Sequence, residues 1–173
     1  ILITGAHSYI GTSVADYLAR WPEKYAVDTL SVRGEKWKQA DFSGYDAVFH
    51  VAGIAHADVG HVSEERKAEY YAVNRDLTLA VAEKAKADGV GQFLYMSSAI
   101  VYGDSAPIGK RKVITKDTPV APANFYGDSK VQAEKGLKKL ESDAFRVAVL
   151  RPPMIYGPGS KGNYPTLSKM ARK

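Results

Sequence analysis

Short apolar runs alternate along this chain with longer segments in which apolar positions follow a helical period. The apolar runs predict five buried strands, at Ile1–Ile3, Tyr25–Val32, Asp46–Gly53, Gln92–Ser97 and Phe145–Leu150. Helical spacing predicts helices that begin at Tyr9, run from Ser63 to Asp88 and from Phe125 to Glu141, and begin again at Tyr164. Polar loops are expected at residues 34–45 and 103–124. Because strands alternate with helices, the pattern predicts an α/β fold with a doubly wound parallel sheet.

The first eleven residues combine a buried strand, a glycine turn and a helix start. Gly5 ends the strand, and helical spacing begins at Tyr9. The free N–H groups of a first helical turn can bind a phosphate, so this arrangement predicts a phosphate cradle. Gly11 would allow the helix to pack closely on the strand, and the Ser8 hydroxyl could donate to a phosphate. An ordinary strand-to-helix turn remains the alternative at this point.

Composition excludes several classes of protein. The 173 residues, 45% hydrophobic and 25% charged, are typical of one globular domain with a sizeable core. The chain has no cysteine, which excludes disulfides and thiolate chemistry. With no membrane-length apolar run and no visible signal peptide, we expect a cytoplasmic protein. Both ends fall inside predicted elements, so we expect the front part of a longer protein.

The net charge of +5 comes partly from two basic runs, Lys110–Lys112 and Lys161–Lys173. Such runs are usually solvated faces, although a basic excess also suits an anionic ligand. Aromatic residues are not interleaved with the basic ones, so we expect no nucleic-acid partner. The segment 50–61 holds three histidines and Asp58, but their spacing matches no standard metal site, and we expect no metal.

Tyr126 and Lys130 are four residues apart and therefore share one face of a predicted helix. A tyrosine has a pKa of about 10, and a nearby ammonium favours the phenolate, so this spacing predicts a proton acceptor near neutral pH. A surface pair is the alternative. However, Ala133 and Leu137 continue the same face, which indicates that it packs inward, where a lysine needs a partner.

Two further polar positions lie where a site is expected. Ser97 and Ser98 close the fourth strand, and ligands of such sheets lie beyond the carboxyl ends of the strands. A hydroxyl there could bond a substrate oxygen, or it could bond its own backbone. Asn74 lies on the apolar stripe of the long helix, so its amide must be satisfied. It could hold neighbouring backbone, support a water relay or be purely structural.

Five motifs in this order resemble those of the extended short-chain dehydrogenase/reductases that act on nucleotide sugars. The motifs are Thr4–Gly11, similar to TGxxGxxG with Ser8 for the middle glycine; His50–Gly53, similar to HxAG; Ser97–Gly103, similar to SSAxVYG; Tyr126–Lys130, the YxxxK pair; and Leu150–Gly159, similar to LRxxNVYGPG. The resemblance implies a Rossmann-type NAD(P)-binding domain at residues 1–159 and the start of a substrate-binding region at 160–173. It also implies a nucleotide-sugar substrate, and a homodimer is possible.

The resemblance implies a role for each matching residue. Tyr126 would be the catalytic acid/base, Lys130 would bind the nicotinamide ribose and lower the pKa of Tyr126, and Ser98 would bind the sugar oxygen. The other residues expected to bind the cofactor are Gly5, Ser8, Tyr9, Ile10 and Gly11 at the pyrophosphate, Ser31 and Arg33 at the ribose, Asp41 and Phe42 at the adenine, and Val51, Ala52, Gly53, Asn74 and Pro153 elsewhere along it. The implied chemistry is hydride transfer between C4 of a sugar and a nicotinamide.

Three departures from the family pattern narrow the expected activity. Ser31 stands where a carboxylate normally binds the ribose of NAD, and Arg33 could bind the 2′-phosphate of NADP, so both cofactors stay open. Ala99-Ile100 replace the acidic pair of the dehydratases, so dehydration is not expected. Met154 replaces an asparagine that contacts the sugar nucleotide. We expect an activity like that of UDP-glucose 4-epimerase; the alternatives are a 4-keto nucleotide-sugar reductase and a non-catalytic NAD(P)-binding sensor.

Overall fold

Five parallel strands form a single sheet, and helices pack on both of its faces. The computed structural model describes residues 1–55, 62–104, 106–107, 109–160 and 163–171. The strands are β1 (Leu2–Thr4), β2 (Asp28–Leu30), β3 (Ala47–His50), β4 (Gln92–Met96) and β5 (Arg146–Leu150). The helices are α1 (Tyr9–Leu18), α2 (Glu64–Tyr71), α3 (Thr78–Ala87), α4 (Phe125–Leu140) and α5 (Asn163–Ala171). None of the helices in these ranges is both long and apolar enough to cross a membrane.

The strand order is β2-β1-β3-β4-β5, with every neighbouring pair parallel. The predicted doubly wound α/β fold is therefore confirmed. From β1 the chain runs outward to β2 on one side, and β3 then pairs with the other side of β1. Ligands of such sheets bind where the order reverses, beyond the carboxyl ends of the strands. We therefore expect a ligand site beyond the carboxyl ends of β1 and β3.

Alternate residues of each strand face opposite layers, as a period of two requires. On one face Leu2, Val48 and Phe93 belong to a core cluster with residues of α3 and α4. On the other face Ile3 and Phe49 pack with Ile10 and Val14 of α1. Because the central strands are covered on both sides, their sequences are nearly continuous apolar runs.

The second strand is shorter than the predicted Tyr25–Val32. The Tyr25 amide donates to the Trp21 carbonyl (3.0 Å), so this residue belongs to the turn after α1. At the other end the Leu30 carbonyl accepts from the amide of Gly5 (2.9 Å), and pairing stops where β1 itself stops. Apolar composition alone overestimated the strand because it does not register where a partner strand ends.

The predicted helix from Ser63 to Asp88 exists, but it is not uniform. Ser63 is its N-cap, as predicted, and its hydroxyl accepts from the Arg66 amide (3.3 Å). Between α2 and α3 the segment Ala72–Leu77 is π-helical. Such a bulge inserts an extra residue into the helical turn and is frequent at functional sites. Asn74 lies within this bulge and is fully buried.

His50, at the end of β3, is fully buried and links three elements. Its Nδ1 lies 2.7 Å from the Thr4 hydroxyl of β1, and its Nε2 lies 3.1 Å from the Thr78 hydroxyl of α3. Its ring stacks against Phe93 and Tyr95. Burial, helped by the charge of Lys130, lowers the pKa of His50 to about 3. The native protein therefore holds this imidazole neutral.

Candidate active site

Neither Gly5, in the turn after β1, nor Gly11, in the first turn of α1, has room for a side chain. Gly5 has φ +116°, and a Cβ added there would lie 2.9 Å from the Ala52 amide nitrogen. A Cβ added at Gly11 would lie 2.6 Å from the Ser8 hydroxyl and 3.0 Å from the Val51 side chain. Only glycine fits either position without displacing a neighbour. This is the close backbone approach that a dinucleotide pyrophosphate requires, so the cradle fits an NAD(P) cofactor.

Ser8 has a structural role in this turn that we did not predict, although serine directly before a helix start is a common N-cap signal. It is the N-cap of α1, and its hydroxyl accepts from the amide of Gly11 (2.9 Å). The amide of Gly11 is therefore already bonded, contrary to the expectation that the first-turn N–H groups all point at a ligand. The amides of Tyr9 and Ile10 open the helix and have no acceptor within it. They are the donors that α1 can offer to an anion.

The segment after β3 connects the cradle to helix α4. The amides of Val51 and Ala52 both donate to the Thr4 carbonyl (3.0 Å each), which ends β3 at His50 rather than at the predicted Gly53. A Cβ added at Gly53 would lie 3.0 Å from the Asn74 side-chain oxygen and 3.1 Å from Lys130 Nζ. The predicted cofactor residues 51–53 and the predicted catalytic lysine are thus adjacent.

Asn74 holds the backbone of this segment, which is the first of the roles open to it. Its amide oxygen accepts from the Ile54 amide (2.9 Å), and its amide nitrogen donates to the Ile54 carbonyl (3.1 Å) and to the Ser129 hydroxyl (3.1 Å). Its own carbonyl accepts from the Tyr95 hydroxyl (3.2 Å). Asn74, in the π bulge, therefore links the segment that follows β3 to helix α4.

Helix α4 presents Tyr126 and Lys130 inward, as their spacing predicted. The helix begins at Phe125 after the N-cap Asn124, whose side chain accepts from the Gly127 amide (2.9 Å). Lys130 is 5% exposed. Its ammonium donates to the Met96 carbonyl at the end of β4 (3.1 Å). The buried lysine thus has the partner that its position demands.

The environment of Tyr126 differs from the sequence-based expectation. Burial raises the pKa of Tyr126, and hydrogen bonding to Ser98 opposes this rise. The expected lowering by Lys130 is not what the structure has, because the ammonium is directed to the Met96 carbonyl. Burial also lowers the pKa of Lys130 to about 8, and the charge of Glu134 opposes that effect. Desolvation of both side chains disfavours the charged form of each.

Ser98 lies between β4 and a short 3-10 turn, Ala99–Tyr102, that the sequence analysis did not predict. Its hydroxyl accepts from the Ile100 amide (3.3 Å), so it bonds to nearby backbone, and it also lowers the pKa of Tyr126 against the effect of burial. Its contact with a substrate oxygen stays a prediction. The Ala99 amide donates to the Pro152 carbonyl (2.9 Å), which ties this turn to the end of β5. Pro153 follows at the same edge and is exposed.

Two predicted ribose residues lie at the end of β2, beside the cradle. Ser31 and Arg33 are both exposed, and the Arg33 amide lies 3.5 Å from the Ser31 hydroxyl. The Leu30 carbonyl accepts from Gly5, so this segment starts directly at the glycine turn. The Arg33 guanidinium is therefore available for an anionic group bound near the cradle.

Asp41 and Phe42 are not brought to this edge of the sheet. Asp41 lines a surface cavity with Asp28 and Asp46, which stand at the amino ends of β2 and β3. Phe42 is fully buried in the core, and its amide donates to the Asp88 carboxylate (2.9 Å). The expected adenine contact is therefore unsupported. The short connection from β2 to β3 returns to the edge where the strands begin, and Asp41 and Phe42 belong to this connection.

The histidine-rich segment can be followed only in part. His56, Asp58 and His61 lie outside the described residues. His50 has both ring nitrogens within hydrogen-bond distance of threonine hydroxyls, so neither is free for a metal.

Sequence reasoning missed a buried ionic network beside the site. Glu134, one turn after Lys130, pairs with Arg151 through two hydrogen bonds (2.6 and 3.1 Å). Ser97 donates to the same carboxylate (2.5 Å), and Arg151 donates to the Tyr102 hydroxyl (2.7 Å). The available signal was the charge of Glu134 on the same helix face as Lys130.

The fold and the motifs are those of known proteins. The model of the NAD dependent epimerase/dehydratase family matches residues 1–173. A UDP-glucose 4-epimerase of Vibrio cholerae is 32% identical and aligns with the whole chain and 57% of its own length. A GDP-6-deoxy-D-mannose reductase of Pseudomonas aeruginosa is 30% identical over 95% of this chain and 55% of its own.

Solved structures share this architecture. MoeE5 in complex with UDP-glucose and NAD superimposes with a TM-score of 0.77 at 25% identity, covering 99% of this chain and 59% of that protein. RMD from Pseudomonas aeruginosa complexed with NADPH gives 0.69 at 27% identity over 99% and 59% of the two chains. The chain thus spans less than two thirds of these relatives. Matched along its entire length by the family model, it belongs to the NAD-dependent epimerase/dehydratase family.

Proposed function

We propose that this chain is the NAD(P)-binding part of a nucleotide-sugar 4-epimerase. The observation that carries the proposal is the adjacency of Lys130 to Gly53, which joins the Ser98–Tyr126–Lys130 group to the glycine cradle. A bound nicotinamide cofactor supplies a hydride acceptor and donor. The V. cholerae relative is a UDP-glucose 4-epimerase, which supports this assignment.

Each side chain of the group has a distinct task in this proposal. Tyr126 exchanges a proton with the oxygen on C4 of the sugar. Because burial favours its neutral phenol, it is suited to donate a proton to a keto oxygen. Ser98, which interacts with Tyr126, orients the same sugar oxygen. Lys130, whose ammonium is held by the Met96 carbonyl, binds the ribose of the cofactor.

A 4-keto nucleotide-sugar reductase is the second candidate. The exposed Arg33 beside the cradle favours it, because a guanidinium can bind the 2′-phosphate of NADP. The relative that is a GDP-6-deoxy-D-mannose reductase and the neighbour solved with NADPH lend support. The two activities differ in stoichiometry. An epimerase regenerates its cofactor without net use, whereas a reductase consumes one NAD(P)H per sugar, which the absorbance of the reduced nicotinamide measures. A homodimer stays a prediction.

Replacing Gly5 by alanine is expected to abolish measurable cofactor binding. The new Cβ would lie 2.9 Å from the Ala52 amide in a backbone conformation that alanine rarely adopts. Calorimetric titration with NAD⁺ and NADP⁺ tests this. The matched control is Gly44→Ala, where nothing lies within 4 Å of the added Cβ. Undiminished binding by a folded Gly5→Ala protein would refute the cradle.

Arg33→Ala is expected to weaken NADP⁺ binding by about 10- to 100-fold and to leave NAD⁺ binding unchanged. The lost interaction is a charge-assisted hydrogen bond to the 2′-phosphate, worth about 1.5–3 kcal/mol. The same titration measures both affinities. Arg20→Ala, at the far end of α1, is the control. Equal losses for the two cofactors would show that Arg33 does not select between them.

A further inference from the structure

Glu134, paired with Arg151, is the least exposed carboxylate among the ion pairs of the described residues. The Glu134 side chain is only 9% exposed and that of Arg151 30% exposed. Arg151 Nη2 lies 2.6 Å from Glu134 Oε2, and Nε lies 3.1 Å from Oε1, so the guanidinium donates to both carboxylate oxygens. Bidentate pairs of this kind are strong and directional. A buried ion pair is by itself weak evidence for stability, which raises the question of what this one does.

The pair connects the elements that carry the site. Ser97, next to Ser98, donates its hydroxyl to Glu134 Oε1 (2.5 Å). On the other side, Arg151 Nη1 donates to the Tyr102 hydroxyl (2.7 Å), and Tyr102 closes the 3-10 turn that follows Ser98. The Glu134–Arg151 pair thus bonds to both ends of the short segment that carries Ser98.

Lys130 and Glu134 are buried residues one turn apart on α4, and they bond to adjacent residues, the last residue of β4 and the one that follows it. The Lys130 ammonium donates to the Met96 carbonyl, and Glu134 accepts from the Ser97 hydroxyl. We propose that Glu134 and Arg151 are positioning residues of this site: Glu134 supplies the negative charge that balances the buried ammonium of Lys130, and Arg151 fixes that carboxylate against the segment bearing Ser98. This inference rests on the proposed function.

The other groups that face Lys130 cannot supply that charge. Tyr95 of β4 lies beneath the ammonium, 4.9 Å from its ring centre, and burial raises the pKa of its phenol. Burial also raises the pKa of Tyr126 and lowers that of His50, so both are uncharged near neutral pH. Asn74 is neutral at any pH. Glu134 is the group whose charge raises the pKa of Lys130 against the effect of burial.

The test measures the titration of Lys130 by NMR in cofactor-free protein that contains 13C-labelled lysine. The Lys130 signal is assigned as the one that disappears in Lys130→Met. In Glu134→Gln the midpoint is expected to fall by about one pH unit, because an opposing charge is lost. Glu134→Asp, which keeps the charge, is expected to restore most of the shift. Glu141→Gln, directly after the last residue of the same helix, is the matched control, and Lys130 in this variant should titrate as in the wild type.

A folded Glu134→Gln protein with the wild-type midpoint would overturn the proposal. Should this variant fail to fold because Arg151 is left unpaired, the double variant Glu134→Gln/Arg151→Gln decides, since it removes the unpaired guanidinium as well. Arg151 is more exposed than Glu134, so its removal offsets only part of the expected fall. A wild-type midpoint in the double variant would likewise overturn the proposal. Failure of the wild type to bind NAD⁺ or NADP⁺ would contradict the proposed function instead.

Discussion

Tyr126→Phe is expected to lower turnover of a nucleotide-sugar substrate by about 10²- to 10⁴-fold, the usual contribution of a positioned acid/base. The substitution removes the proton-transferring hydroxyl and keeps the ring that packs edge-on against Tyr70. Stability and cofactor affinity should therefore change little. Steady-state kinetics of the full-length protein with a nucleotide-sugar substrate, thermal unfolding and cofactor titration measure the three quantities separately.

Tyr45→Phe is the matched control, because it removes a tyrosine hydroxyl that donates to Asp28 at the opposite edge of the sheet. Its turnover should equal that of the wild type. If Tyr126→Phe also turned over at the wild-type rate, Tyr126 would not be the acid/base. If the full-length protein that contains this chain bound NAD(P) and showed no turnover before or after the substitution, the non-catalytic sensor would be favoured.

Acid is expected to destabilise this protein through His50. The pKa of His50 is about 3 in the native state, against about 6.5 in an unfolded chain. As the pH falls from 6.5 toward 3, His50 binds a proton in the unfolded state but not in the native state. The free energy of unfolding that is present above pH 6.5 is therefore progressively lost. Between pH 6.5 and 4.5 the loss amounts to about 2–3 kcal/mol.

Urea unfolding at several pH values within this window measures the effect. In His50→Gln the loss between pH 6.5 and 4.5 should shrink by about the same 2–3 kcal/mol, although the variant is less stable overall because the stacked ring is gone. His7→Gln replaces an exposed imidazole and serves as the control for loss of a histidine. An unchanged pH slope in His50→Gln would contradict the assignment to His50.

The sequence was sufficient for the features that depend on local periodicity. Apolar runs and helical spacing predicted five strands and the long helices, because burial of a strand or of a helix face requires apolar residues at a fixed repeat. The inward position of Lys130 followed in the same way from the stripe that continues through Ala133 and Leu137, both of which are buried. The glycines at 5 and 11 were identifiable because a strand, a turn and a helix start have a short, contiguous signature.

The sequence by itself therefore determined the α/β fold, its parallel sheet and the positions of the cradle and the Tyr126–Lys130 pair. Tertiary structure alone decided that Asp41 and Phe42 lie away from the cradle and that burial raises the pKa of Tyr126. It also decided that Glu134 meets Arg151, 17 residues further on. The place of Asp41 and Phe42 and the contact of Glu134 with Arg151 depend on which atoms meet in space, and a repeat along the chain carries no information about those distances.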